Sequence, residues 1–155
     1  MTTIPKLTTI AACRIARIDR DRFNEHVSAG RFCCAPETIP GRTRLFDLHD
    51  MVALCLFRNF MEDDRIEAAR AGSLACRIAN EARQYPEAGT IAYVQHFNGS
   101  SSVSVAENVP PNSKWGDVLY SGLVIDKVTT YNIKALRSLI LEKIEDYRSV
   151  IGEND

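Results

Sequence analysis

Five cysteines and three histidines are among the side chains able to act as nucleophiles, bases or metal ligands. Cys33 and Cys34 are adjacent, so on a strand they would point to opposite faces, which is poor geometry for two ligands on one metal. His26, His49 and His96 form neither an HxH nor an HxxxH pair, and the chain has no P-loop or G-x-S-x-G motif. These patterns favour a protein that is not an enzyme and has no cofactor or metal, with the cysteines as reduced, mostly buried thiols.

Arginines supply a different chemistry, the binding of anions, and they are concentrated in the first half of the chain. Residues 1–60 carry a net charge of +3, whereas residues 61–155 carry −4 and the whole chain −1. A basic cluster attracts polyanions. We therefore expect double-stranded DNA as the partner of the first half.

A short hairpin with a basic tip is predicted over residues 31–46. Two apolar runs, 32–35 and 43–46, flank a loop marked by proline and glycine, and such punctuation is typical of a turn between strands. Arg42 and Arg44 follow the loop. The hairpin would therefore present positive charge at its tip.

Two short helices are predicted just before this hairpin. Thr8 or Thr9 can cap the first, which would end near residue 16, and residues 17–19 would form the turn. Asp19 is a good N-cap for the second helix, over residues 20–29, and Gly30 is suited to end it. A helix pair followed by a basic hairpin is the layout of a winged DNA-binding unit.

Residues 9–60 resemble the winged helix-turn-helix of the MerR family. The segment Gly41-Arg42-Thr43-Arg44-Leu45-Phe46 corresponds to the Gly-Tyr-Arg-x-Tyr that closes the family's wing. The resemblance implies that Arg44 meets the DNA backbone and that Phe46 is a packing aromatic. The family's Arg-Tyr-Tyr in the recognition helix is replaced here by Asn24-Glu25-His26, so base preference does not carry over.

Major-groove geometry allows Asn24 to pair with adenine, and Arg20 or Arg22 with guanine. The candidate DNA-binding residues are Arg17, Arg20, Arg22, Asn24, Arg31, Arg42 and Arg44. We expect a sequence-specific transcriptional regulator that binds DNA as a homodimer. Two alternatives stay open: an excisionase-like factor that bends DNA, and a protein-interaction module on a winged fold that no longer binds DNA.

The remaining pattern predicts an α+β fold. Apolar spacing indicates helices over residues 47–60 and 65–83, and Pro86 and Gly89 suggest a division into a DNA-binding domain, 1–85, and a small lobe, 86–155. Alternation predicts a hairpin around Asn98-Gly99-Ser100 and a third strand over residues 118–130. A helix over residues 132–151 closes the chain.

This last helix carries an apolar stripe. The stripe either packs on the chain's own sheet or pairs two chains about a two-fold axis. The candidate dimerisation residues are Ile133, Leu136, Ile140, Ile144 and Tyr147.

Composition and the N-terminal sequence bear on location. Apolar residues make up 45% and charged residues 25% of the chain, which is ordinary for a globular protein. No apolar run approaches the roughly 18 to 20 residues that span a bilayer, and residues 1–7 lack the apolar core of a secretory signal. We expect a cytoplasmic protein without a membrane partner.

Overall fold

The computed structural model describes residues 6–38 and 40–151. The fold is α+β, as predicted. In chain order the helices and strands are β1 (Leu7–Thr8), α1 (Thr9–Ala16), α2 (Arg20–Ser28), β2 (Leu45–Phe46), α3 (Leu48–Glu62), α4 (Ala68–Gln84), β3 (Thr90–His96), β4 (Ser101–Val105), β5 (Ile125–Asn132) and α5 (Ile133–Ile151). Residues 1–5, on which the expected absence of a signal partly rests, lie outside the described residues.

The predicted pair of short helices is confirmed, with the predicted caps. The Thr8 hydroxyl accepts a hydrogen bond from the Ala11 amide at 3.3 Å, and the Asp19 carboxylate accepts one from the Arg22 amide at 3.0 Å. Each bond satisfies an amide that the first turn of a helix would otherwise leave unpaired. Gly30 ends the second helix with a φ of +73°, a conformation that glycine adopts without steric cost.

The predicted hairpin over residues 31–46 is wrong. Residues 32–35 form no strand, and β2 pairs antiparallel with β1, with Phe46 opposite Leu7. The described residues between α2 and β2 form an irregular loop, and position 39 of the predicted hairpin lies outside the described residues. Phe32 is 2% exposed, so the apolar run that suggested a strand instead anchors this loop in the core.

Four phenylalanines hold α2 and the loop to α3. The ring of Phe23 lies 5.7 Å from that of Phe32 and 5.8 Å from that of Phe46, and Phe32 stacks on Phe57 at 4.9 Å. Aromatic pairs at these distances add packing energy beyond the area they bury. The cluster therefore fixes α2 through its one fully buried side chain, Phe23.

The start of α3 is tied to α4 by a carboxylate pair. The Asp47 and Asp50 carboxylates accept hydrogen bonds from each other's amides at 2.8 and 2.9 Å, which is a capping box. The Arg83 guanidinium donates to Asp47 at 2.9 and 3.1 Å. Burial raises the pKa of Asp50 to about 6; burial also disfavours ionised Asp47, but hydrogen bonds from Arg83 and Asp50 hold the Asp47 pKa at about 2.

Replacing Asp47 with Ala should lower the free energy of unfolding by about 2 kcal/mol, since it removes a helix N-cap and the main partner of Arg83. Urea unfolding at pH 7 measures the loss. The matched control is Asp63→Ala, which removes an exposed partner of Arg58 at 3.3 Å and should cost at most about 0.5 kcal/mol. Equal losses from the two changes would contradict the role given to Asp47.

Helix α4 starts later than predicted, at Ala68 instead of Arg65. Arg65 has a φ of +57°, so the backbone there turns away from a helical path. Helix α4 packs on α3 and also closely on the loop, because a Cβ at Gly72 would lie 1.8 Å from the Arg31 carbonyl oxygen.

The second half forms a three-stranded antiparallel sheet in the order β4-β3-β5. The predicted hairpin of β3 and β4 is confirmed. The third strand starts at Ile125, not near residue 118, because Ser121 and Gly122 both have positive φ and Tyr120 bridges to Leu123 in a tight turn. Trp115 packs this loop onto the sheet and donates to the Pro110 carbonyl at 2.9 Å.

Buried residues from both halves of the chain form a continuous core. Leu7, Phe57, Ile91 and Ile133 belong to the same cluster, and α5 contacts both α1 and α3. The predicted division into two domains at residues 85 and 86 stays a prediction. The residues on either side of it contribute to the same core.

The apolar stripe of α5 faces the inside of its own chain. Ile133, Ile140 and Ile144 are at most 4% exposed, and Leu136 and Tyr147 pack against the same core. Of the two alternatives, packing within the chain is what is observed. The assignment of the five residues to a dimer interface stays a prediction, since Leu136 and Tyr147 are only half-buried.

Candidate nucleic-acid interface

Helix α2 presents most of its length to solvent. Arg20, Arg22 and Asn24 are all exposed, whereas Phe23 between them is buried. Arg17 is also exposed, in the turn before α2, where its φ of +60° reverses the chain. Four of the seven predicted DNA-binding side chains therefore lie on the surface of one turn-and-helix segment.

The loop after α2 carries the other three. Arg42 is exposed, but Arg44 is half-buried and donates a hydrogen bond to the Pro36 carbonyl. Arg44 thus holds the base of the loop, and Arg42 is the arginine with its side chain in solvent. Arg31 is half-buried, and its Nε has no hydrogen-bond partner among residues 6–38 and 40–151.

The loop lies against the C-terminal end of α2. A shallow depression of about 380 Å³ is lined by Val27 and Gly30 from that end and by Glu37, Thr38 and Arg44 from the loop. Arg20 and Arg22 stand in the first turn of the helix, about 12 and 9 Å from its last residue at 1.5 Å per residue. The predicted arginines therefore fall on two segments, with Arg17, Arg20 and Arg22 on the turn and the start of α2 and the other three on the loop.

A disulfide joins the loop to α4. Cys34 is bonded to Cys76 in α4, 42 residues further along, with their Cα atoms 5.6 Å apart. The prediction of reduced thiols is wrong for this pair, because the fold brings together two cysteines that no short motif relates. Cys33 is exposed, also against expectation, whereas Cys13 and Cys55 are buried as predicted and burial raises the pKa of each thiol to about 11.

The three histidines lie on different elements, His26 on α2, His49 on α3 and His96 on β3. His26 packs edge-on against Phe57 at 5.2 Å, and burial, reinforced by Arg31, lowers its pKa. His96 has its Nδ1 3.3 Å from the Val124 carbonyl oxygen. Among residues 6–38 and 40–151, no three His, Cys, Asp or Glu side chains are placed to hold a metal ion.

The charges around α2 are mixed. Residues 14–44 hold seven arginines and four carboxylates, a net charge of +3. One of these carboxylates, Asp19, is used as the N-cap. Asp21 and Glu25 are exposed and four residues apart, so they share one face of the helix. The surface can bind a polyanion through its arginines, with carboxylates that restrict how the helix approaches it.

Sequence reasoning missed one arginine of this surface. Arg14 is exposed in the last turn of α1, three residues before Arg17. Residues three apart on a helix are neighbours, so the spacing could have indicated that Arg14 extends the basic surface onto α1.

Neither protein-family models nor curated protein sequences show a significant match to the chain. In the part of the chain that the structure describes, the helices are all too short or too polar to cross a membrane.

Proposed function

We propose that the protein is a sequence-specific DNA-binding regulator in which α1, α2 and the following loop act as a winged helix-turn-helix. The observation that carries the proposal is the exposure of Arg20, Arg22 and Asn24 on a capped helix held by a single buried aromatic. A recognition helix needs polar tips and a rigid support. Helix α2 has both, and the MerR-like pattern of residues 9–60 supports the same assignment.

The division of arginines into two groups suggests two roles. Base edges are read by side chains on the helix, and phosphates by basic groups beside it. In this proposal Arg22 and Asn24 read bases, and Arg42 contacts phosphate. Arg44, which is bonded to Pro36, mainly holds the loop in position.

The proposal includes a homodimer in the cytoplasm. Since the inner stripe of α5 is buried, a dimer would use the outer edge of that helix, where Leu139 is 47% and Val150 85% exposed. The cytoplasm keeps most protein thiols reduced, so the Cys34–Cys76 disulfide argues against the location in this proposal.

Arg42→Ala should weaken binding to every duplex and reduce the slope of log affinity against log salt by about 1, because one phosphate contact is lost. Asn24→Ala should instead reduce discrimination at one base pair by about 1 to 3 kcal/mol. Selection from randomised duplexes, followed by binding measured between 50 and 200 mM salt, gives both quantities.

The matched control is Lys114→Ala, which removes an exposed cation from the second half of the chain and should change neither quantity. A variant with Arg22, Asn24 and Arg42 all replaced by Ala should lose sequence preference and should reduce the salt slope at least as much as Arg42→Ala alone. Unchanged affinity and slope in that variant would overturn the proposed surface.

A second function, binding of a protein partner, is favoured by Asp21 and Glu25 on the outward face of α2. These carboxylates would repel phosphates on that face but would suit a basic peptide. Failure of the randomised selection to enrich any motif would favour this alternative.

A further inference from the structure

A pocket between α4 and the sheet has the properties of a site for a small anion. Its cavity of about 210 Å³ is bounded by Arg70 and Arg77 on α4 and by Tyr93, Lys127 and Tyr131 on β3 and β5. All the residues that line it come from residues 66–131, so α2 and its loop do not contribute to the lining. We call it the α4–sheet pocket.

The secondary structure explains why these side chains meet. Arg70 and Arg77 are seven residues apart, which places them on one face of a helix two turns apart. On the sheet, Tyr93 pairs with Thr129 and Gln95 with Lys127, so Tyr93, Lys127 and Tyr131 point to the same face. The helix face and the sheet face then enclose the cavity.

Three cations line the pocket, and none of the described carboxylates does, although Asp64 lies close enough to Tyr131 to help raise the pKa of its hydroxyl. Within residues 6–38 and 40–151, Arg70, Arg77 and Lys127 form no ion pair, whereas Arg58 and Arg83 each have an aspartate partner. The surrounding segment, residues 61–155, has a net charge of −4. Positive charge is thus concentrated in the pocket, although the second half of the chain is negative overall.

One of the cations is already held in a defined position. Arg77 donates from Nη1 to the Ser101 hydroxyl at 3.1 Å and from Nη2 to the Ser101 carbonyl at 3.2 Å, and it lies 5.8 Å from the centre of the Tyr93 ring. A guanidinium has five N–H donors, so these two bonds leave others for a ligand. An oriented arginine favours a carboxylate or phosphate, which can accept two hydrogen bonds from it.

The α4–sheet pocket is also lined by aromatic and aliphatic side chains. Tyr93 and Tyr131 are half-buried, and Ile66 and Leu74 complete the lining beside them. Burial raises the pKa of Tyr131 to about 12, so its hydroxyl keeps its proton at neutral pH and can donate to an anion. A ring or short hydrocarbon body would be covered by these side chains.

We propose that the α4–sheet pocket binds a small organic anion, whose carboxylate or phosphate contacts Arg70, Arg77 and Lys127 and whose apolar body lies between the two tyrosines. This site does not depend on DNA binding and stands if the DNA proposal fails.

Isothermal titration of the full chain at constant ionic strength tests the site. The probes are benzoate, phenyl phosphate, inorganic phosphate and the neutral benzamide. Benzoate or phenyl phosphate should bind with a dissociation constant below about 1 mM, and whichever binds tighter identifies the anionic group. Inorganic phosphate should bind at least tenfold more weakly than phenyl phosphate, and benzamide should not bind measurably.

Arg70→Ala and Lys127→Ala should each weaken binding of the tighter probe at least tenfold. Both side chains are exposed, so we expect these variants to fold, which thermal melting checks. Lys114→Ala, a cation on the loop that covers the other side of the sheet, is the matched control and should bind like the wild type.

Three results would overturn the proposal: no measurable binding of either aromatic anion, equal binding of benzamide, or wild-type binding by both pocket variants. If Arg70→Ala and Lys127→Ala weakened DNA binding but left anion binding unchanged, the cations would belong to a polyanion surface and the pocket assignment would also fail.

Discussion

Reduction of the Cys34–Cys76 disulfide should lower the free energy of unfolding by about 4 kcal/mol. The bond closes a loop between residues 42 apart, and in the chain-entropy model a loop of this length restricts the unfolded state by roughly that amount. The corresponding fall in melting temperature is about 10 °C for a domain of this size. Urea unfolding and thermal melting with and without dithiothreitol measure both.

Thiol counting and variants separate the bond from other effects of reductant. In denaturant without reductant, three thiols should react, those of Cys13, Cys33 and Cys55. A variant with Cys34 and Cys76 both replaced by Ser should be as unstable as the reduced protein and insensitive to dithiothreitol. Cys33→Ser is the matched control, since that side chain is exposed and unbonded. Five reactive thiols in the untreated protein would show that the bond is absent.

The features of the fold that depend on neighbouring residues could be predicted from the sequence. The caps at Thr8, Asp19 and Asp47 each join a side chain to an amide three residues away, so the residue type and the following apolar pattern suffice. The turn at Asn98-Gly99 is equally local: the Asn98 side chain accepts a hydrogen bond from the Ser100 amide, and Gly99 has a φ of +89°.

Long-range pairings could not be predicted in the same way. Residues 32–35 and 43–46 look alike as apolar runs, and only the position of β1 decides that β2 pairs with Leu7 and Thr8 instead. Cys34 and Cys76 likewise become neighbours only once α4 packs beside the loop. The stripe of α5 was identified correctly, but its pattern is the same whether the partner is the chain's own core or a second chain.

The same distinction applies to the two candidate sites. The surface on α2 is a continuous segment, so its exposed residues follow from helical periodicity around Phe23. The α4–sheet pocket is assembled from a helix and two strands, and its composition depends on the register that sets Gln95 opposite Lys127. Individual residues of the pocket carry no signal, because an isolated arginine or tyrosine is an ordinary surface residue.

Gly72→Ala should lower the free energy of unfolding by about 3 kcal/mol, although alanine is the better helix former by about 1 kcal/mol. The added Cβ would lie 1.8 Å from the Arg31 carbonyl oxygen and 3.3 Å from the Phe32 Cα. Both atoms are backbone, so no side-chain rotation relieves the overlap and the loop must move away from α4.

A matched glycine tests this explanation. A Cβ at Gly89 would meet the Lys134 side chain at 3.6 Å, which is ordinary contact. Gly89→Ala should therefore change stability by less than about 0.5 kcal/mol in urea unfolding. If Gly72→Ala were instead stabilising, as expected for an unobstructed helix position, the close approach of the loop to α4 would be contradicted.

The cost of Gly72→Ala should also depend on the disulfide, because both act on the same segment. The Cys34–Cys76 bond holds the loop against α4 only two residues beyond Phe32, which prevents the retreat that an added methyl group requires. Without the bond the loop can shift, so the same substitution should cost about 1 kcal/mol less in the reduced protein. A double-mutant cycle between Gly72→Ala and the paired cysteine-to-serine change measures this coupling. If the two changes in the free energy of unfolding simply added, the loop would move away from α4 equally easily with and without the disulfide, and the predicted coupling would be wrong.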